Sequence, residues 1–135
     1  GTLAETLDET VTLIKTVNRQ NFGITFEPAN LMACGSDFNK NALNQLLPYT
    51  ENFYFQNIIL DKKGKHVFPT IHNGEVSVKY VSLDNSNGIN VFSFLDFLRE
   101  KKYDKWFTVH QPLLEDQTVE NAIENASKLF LEYKF

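Results

Sequence analysis

Four side chains able to move protons or bind hydroxyl groups stand in or just after apolar runs of this sequence. Glu27 closes the run Phe22-Gly-Ile-Thr-Phe26, and Asn30 follows three residues later. Gln56 lies inside Phe53-Tyr-Phe-Gln-Asn-Ile-Ile-Leu60, and His110 follows Trp106-Phe-Thr-Val109. Short runs rich in aromatic and β-branched residues read as strands, and strand ends bring residues distant in sequence to one place. A carboxylate and an imidazole are common partners in proton transfer near neutral pH, and amides both donate and accept hydrogen bonds. Each residue also has a plainer reading. Glu27, just before Pro28, caps a neighbouring helix or faces solvent. Gln56 and Asn57 are polar residues satisfied within their layer, and His110 is a loop histidine.

Other chemistry has little support. His66 and His72 lack the spacing of metal ligands and read as solvated. Cys34 has no base nearby and reads as a packed small residue. There is no glycine-rich phosphate loop, no Gly-x-Ser-x-Gly elbow and no paired cysteine motif. With a net charge of −4 over 135 residues, nothing favours a nucleic-acid partner. The densest basic group, Lys62, Lys63 and Lys65, flanks Gly64 in a turn. No apolar run approaches a membrane span, and no signal-peptide pattern opens the chain. The single cysteine excludes an internal disulfide framework, so the expectation is a soluble cytoplasmic protein.

Helical and strand patterns alternate along the chain. Thr2-Leu-Ala-Glu5 reads as a capping box for a helix carrying Leu3, Leu7, Val11, Ile14 and Val17, ending near Asn18. The first strand covers about 22–27. A helix from Asn39 to Leu47 stops at Pro48, and the second strand covers about 53–60. Asp61 to Gly88 reads as irregular, with turns at Lys63-Gly64, Asn73-Gly74 and Asn87-Gly88 and an extended piece at Val76 to Val81. Asn90 caps a helix from Val91 to Lys101 that buries Phe94, Leu95 and Leu98. The third strand covers about 105–110. The last helix starts at Asp116 or Thr118 and turns Val119, Ile123, Ala126, Phe130 and Tyr133 inward. Trp106 and the phenylalanine-rich helix faces read as core. Strands apolar on both faces, separated by amphipathic helices, predict parallel βαβ units in an α/β fold. The three strands should lie adjacent, parallel and in chain order, with helices on one outer face.

Three segments resemble the sugar phosphate isomerase/epimerase family of xylose-isomerase-like TIM barrels. Phe22-Gly-Ile-Thr-Phe-Glu-Pro-Ala-Asn-Leu31 with Gly35 resembles strand six and its loop, where the family has Asp-Pro and then a small residue and His or Asn. Tyr54-Phe-Gln-Asn57 is similar to strand seven. Gly88-Ile-Asn-Val-Phe92, continuing to Tyr103-Asp-Lys-Trp106 and Val109, resembles the approach to strand eight. The opening Gly1-Thr-Leu-Ala-Glu-Thr6 resembles the segment after strand five. The resemblance implies the C-terminal part of a (β/α)8 barrel. Residues 1–135 would form one partial domain holding strands six to eight, with the N-terminal half absent, since a complete barrel takes about 250 residues.

The resemblance also implies a chemistry. Relatives hold a divalent metal (Mn, Zn or Mg) at the barrel mouth and move a proton between neighbouring carbons of a sugar. The implied ligands here are Glu27, Gln56 and His110, where the family usually has Asp, His and Glu. All three differ: Glu27 has a longer arm, Gln56 offers a neutral amide, and His110 replaces a carboxylate. Glu27 and His110 would be the catalytic pair, and Asn30 and Gln56 would bind substrate hydroxyls. The expected function is therefore that of a sugar isomerase or epimerase with degraded metal ligands, acting on a small sugar or keto-sugar. The alternative is a non-catalytic carbohydrate-binding relative. The related abasic-site endonucleases need a histidine-rich mouth and a basic surface, which this chain lacks. The open sheet implies self-association or pairing with the missing half, with no nucleic-acid or membrane partner.

Overall fold

The computed structural model describes residues 3–36 and 38–133. Helix α1 spans Leu7–Val17 and opens at Thr6, whose Oγ1 accepts from the Glu9 N–H at 3.2 Å. The Glu9 carboxylate returns the contact, accepting from the N–H groups of Thr6 at 3.0 Å and Glu5 at 2.9 Å. The capping box is thus Thr6 with Glu9. The box expected at Thr2 lies outside the described residues, and Leu3 precedes the helix, in solvent. The helix closes at Asn18, in the left-handed region at φ 43°.

Strand β1 is Ile24–Phe26, and α2 is a short helix at Pro28–Ala33. Pro28 opens that helix rather than merely closing the strand, since a first helical position needs no N–H. Helix α3, Lys40–Leu46, is capped by Asn39 and runs into a 3₁₀ turn holding Pro48. Strand β2 is Thr50–Phe55. Then come β3 (Ile58–Leu60), β4 (His66–Thr70) and β5 (Gly74–Tyr80). Helix α4 is Val91–Glu100, capped by Asn90. Strand β6 is Trp106–Val109 and α5 is Val119–Tyr133.

Strands β1, β2 and β6 are adjacent, parallel and in chain order, as the sequence predicts. Phe26, Phe53, Phe55 and Phe107 line the face turned to the helices. Their rings pack at centroid distances of 5.1 Å (Phe26–Phe53) and 6.0 Å (Phe55–Phe107). Phe94 of α4 and Phe130 of α5 pack on them at 6.5 and 5.6 Å. Beneath lie Leu95 and Leu98, both fully buried. The register slips once: Ile24 pairs with Thr50 but Thr25 with Asn52, leaving Glu51 as an extra residue.

Several expectations need correction. The run Phe53–Leu60 is not one strand. It breaks at Gln56-Asn57, and β3 joins a second, antiparallel sheet of order β3-β5-β4. The cause is Asn57, fully buried, whose amide donates to the carbonyls of Ser82 at 3.0 Å and Asn85 at 2.9 Å. Its Oδ1 accepts from the Ile89 N–H at 2.7 Å, so the chain must turn there to bury these partners together. The stretch after Asp61 is therefore largely ordered as strands. Trp106 is not core: it is 76% exposed, because strand alternation turns it to the face without helices. In α5, Val119 and Ile123 face solvent, while Leu129 is buried and Phe130 packs on the sheet. No described helix is long and apolar enough to cross a membrane.

Asn57→Ala strips partners from several buried backbone groups, so urea unfolding is expected to show a loss of about 3 kcal/mol. Gly88→Ala should act in the same direction, because an added Cβ would lie 2.2 Å from Asn57 Oδ1. Glu9 provides a pH-dependent test. The Glu5 N–H, then His72 and the Thr6 N–H, draw its carboxyl from 4.5 down to about 2. Its stabilising contribution is complete above the unfolded value and lost as pH falls toward the folded one. Glu9→Gln should flatten the fall of Tm across that acid window.

Candidate active site

The C-terminal ends of three neighbouring parallel strands point the same way, so residues at those ends meet. Glu27 follows β1, Gln56 follows β2 and His110 follows β6. The His110 N–H donates to the Phe55 carbonyl at 2.9 Å, which carries the β2–β6 ladder one residue further and fixes the imidazole beside Gln56. Asn30 comes from the first turn of α2, directly after Glu27.

Glu27 is the centre of the group. Its Oε1 accepts from the Gln56 amide and lies 3.1 Å from His110 Nδ1. Its Oε2 accepts from Asn30 Nδ2 at 2.6 Å. The four residues singled out from the sequence therefore share one hydrogen-bond cluster. Glu27 makes no side-chain cap to α2, which sets aside its plainer reading. The side chain of Glu27 is 9% exposed and that of His110 58%, so the cluster is closed at the carboxylate and open at the imidazole. A carboxylate accepts only, so a hydrogen bond across this contact puts the neutral ring's proton on Nδ1 and leaves Nε2 without one. The Tyr54 ring lies 5.1 Å from that of His110, and Asn52 and Thr108 hydrogen-bond at 3.0 Å further along the same face.

Sequence reasoning missed Tyr80, on β5 of the second sheet. Burial, and then the charge of Glu27, push its phenol above the usual range. The alternation Val76, Val78, Tyr80 in β5 was the available signal. His66 and His72 lie outside the cluster. His72 is not merely solvated, because its Nε2 meets Glu9 Oε1 at 2.9 Å. Cys34 is half-buried, its thiol pushed up by burial and then by Glu5.

Among the described residues, no three His, Cys, Asp or Glu side chains are grouped to hold a metal ion. Glu27 and His110 supply two donors, and Gln56 turns its N–H rather than its oxygen to the carboxylate. The residues present do not by themselves fit a divalent metal.

Two solved structures share this architecture. One is described as the probable 3-DHS dehydratase AsbF, involved in petrobactin synthesis, from Bacillus anthracis. It aligns with a TM-score of 0.68 at 22% identity, over 100% of this chain and 47% of its own. The other is a xylose isomerase domain protein from Planctomyces limnophilus, with a TM-score of 0.66 at 21% identity, over 98% and 43%. The chain thus has the xylose-isomerase-like TIM-barrel fold, as part of a barrel. It spans about half the length of these structures. No protein-family model and no curated protein matches its sequence.

The geometry sets a tautomer test. Long-range ¹H–¹⁵N spectra of neutral His110 should show the Nδ1–H form, and Glu27→Ala should shift it toward the Nε2–H form that free imidazole side chains prefer. A tautomer indifferent to that substitution would contradict the assigned contact.

Proposed function

We propose that this chain forms the catalytic mouth of an enzyme that moves a proton on a small sugar or related hydroxy-carbonyl compound. The reaction belongs to the isomerase, epimerase or dehydratase type. The observation that carries this reading is the Glu27–His110 pair at the ends of parallel strands, with one partner buried and the other open. His110 Nε2 takes a proton from the carbon beside a carbonyl, and the adjacent Glu27 carboxylate stabilises the imidazolium formed. The imidazolium then returns the proton to the neighbouring carbon or to a departing hydroxyl; protonation of the opposite face, as in an epimerase, needs a second acid from elsewhere in the site. Gln56, 4% exposed, holds the carboxylate in place, while exposed Asn30 has an amide oxygen and a second N–H to offer substrate hydroxyls. The likeness to a dehydratase and a xylose isomerase domain protein supports the class. The fold alone does not choose a substrate.

The test is exchange of solvent deuterium into a panel of ketoses, aldoses and hydroxy-keto acids. His110→Ala is expected to lower exchange by roughly 10²–10⁴-fold, with Glu27→Gln close behind. Sugar binding without exchange, unchanged in His110→Ala, would favour the non-catalytic carbohydrate-binding reading. Stoichiometric Mn, Zn or Mg, lost in His110→Ala, would recast the pair as metal ligands.

We also propose that the parallel sheet is completed by further strands, from a second copy or from the rest of a barrel. Among the described residues, β1 and β6 each pair on one side only, and the helix-free face exposes Trp106. Light scattering should show association, and a well-folded monomer at micromolar concentration would refute it.

A further inference from the structure

The ladder between β2 and β6 cannot run on past His110. Phe55 pairs with Val109, and the His110 N–H donates to the Phe55 carbonyl at 2.9 Å. In a regular parallel pair the next two bonds would run from the Asn57 N–H to the His110 carbonyl and from the N–H of residue 112 to the Asn57 carbonyl. Residue 112 is Pro112, which has no N–H to give. The Asn57 backbone turns instead to the second sheet, where its carbonyl accepts from the Val81 N–H at 3.0 Å. Asn57 stands opposite Val81 there, one step beyond the Ile58–Tyr80 pair.

The reciprocal bond of that rung runs through Gln111. Its Oε1 accepts from the Asn57 N–H at 2.8 Å, and its Nε2 donates to the Val81 carbonyl at 3.1 Å. The side-chain amide stands in for a peptide group, accepting on one side and donating on the other. All four backbone groups of Asn57 and Val81 are thereby satisfied. Gln111 so joins the end of β6 to the point where the second sheet leaves β2.

This anchor bears on the neighbouring imidazole. Successive side chains of an extended chain point to opposite faces. Gln111 lies on the helix side, lining a groove with Phe92 of α4 and Leu129 of α5. His110, one residue earlier, is turned to the helix-free face, against Tyr54 and Glu27. The imidazole is largely exposed, so its position depends on the backbone that carries it. That backbone is held twice, by its own N–H on Phe55 and by the Gln111 amide one residue on.

We propose that Gln111 is the positioning residue for His110, setting the imidazole against Glu27 through the rung it completes between Asn57 and Val81. This rests on Glu27 and His110 being the working pair of the site, as proposed above. Gln111 acts through the backbone and needs no contact with substrate.

Long-range ¹H–¹⁵N spectra of the full chain read that position at His110 itself. In Gln111→Met, similar in length but without the amide, the ratio of the Nδ1–H to the Nε2–H form should fall about 10-fold. Gln111→Glu keeps the acceptor for Asn57 and loses the donor for Val81, so its ratio should fall less, about 3-fold. Asn90→Ala removes the cap of α4, where Oδ1 accepts from the Ser93 N–H at 3.1 Å. It should cost stability and leave the ratio unchanged. Gln111→Met should also lower the turnover of deuterium exchange about 10-fold while KM stays the same. A native ratio in Gln111→Met, with circular dichroism showing the fold retained, would overturn the proposal. If that variant does not fold, a native ratio in Gln111→Glu does so instead. An equal shift in Asn90→Ala would overturn it too, since the tautomer would then follow stability alone. The two proposals fail separately. A tautomer that depends on Gln111, without deuterium exchange, leaves this one standing and removes the catalytic one. Exchange with a tautomer indifferent to Gln111→Met does the reverse.

Discussion

One buried amide holds two unlike sheets together. Asn57 sits where β2 ends, fully enclosed, and a buried amide must have its hydrogen bonds satisfied or the fold loses several kcal/mol. It finds them in the loop between the second sheet and α4, at Ser82, Asn85 and Ile89. That demand stops the parallel strand at a set point and sends the chain out into an antiparallel excursion. It then returns the chain to begin α4 in register. Gln56, one residue earlier, is left at the strand end and turned to Glu27. The placement of Gln56 and the existence of the second sheet therefore share a cause.

The site has an internal logic of its own. A carboxylate this enclosed stays in place because three donors converge on it, from β2, from α2 and from His110. None of those donors carries a fixed positive charge, so the negative charge is spread over hydrogen bonds rather than cancelled. That arrangement sets an enclosed carboxylate against an exposed imidazole, the asymmetry on which the proposed proton transfer rests.

The parallel layer was readable because its strands are apolar on both faces and its helices amphipathic, two periods that do not imitate each other. The four cluster residues were singled out through the family resemblance, which set them at strand ends and in the loop after the first strand. Other features escaped for identifiable reasons. Gln56-Asn57 inside an apolar run looks like a polar pair tolerated within a strand, and only Asn57's distant partners reveal a chain turn. Trp106 reads as core by composition, yet its place in the alternation turns it away from the helices. Tyr80 falls in the extended piece expected at Val76 to Val81, but the pairing of β4 with that strand and the packing of the second sheet are encoded by no local pattern. In α5, Val119 and Ile123 match a helical period but fall on a face that the sheet does not reach.

The extra residue at Glu51 has a geometric consequence. Thr50 and Gln56 are six positions apart, an even separation, and in a regular strand they would share a face. Here Thr50 is buried, with its hydroxyl donating to the Leu46 carbonyl, whereas Gln56 reaches the mouth. The slip at Glu51 acts as a half-turn between the two ends of one strand, letting the first anchor the scaffold and the second serve the site. A chain shortened by that one residue would have to surrender one role, turning Thr50 away from the helices or placing an amide among the phenylalanines. The phase of the strand, set near its entry, thus decides what stands at its exit.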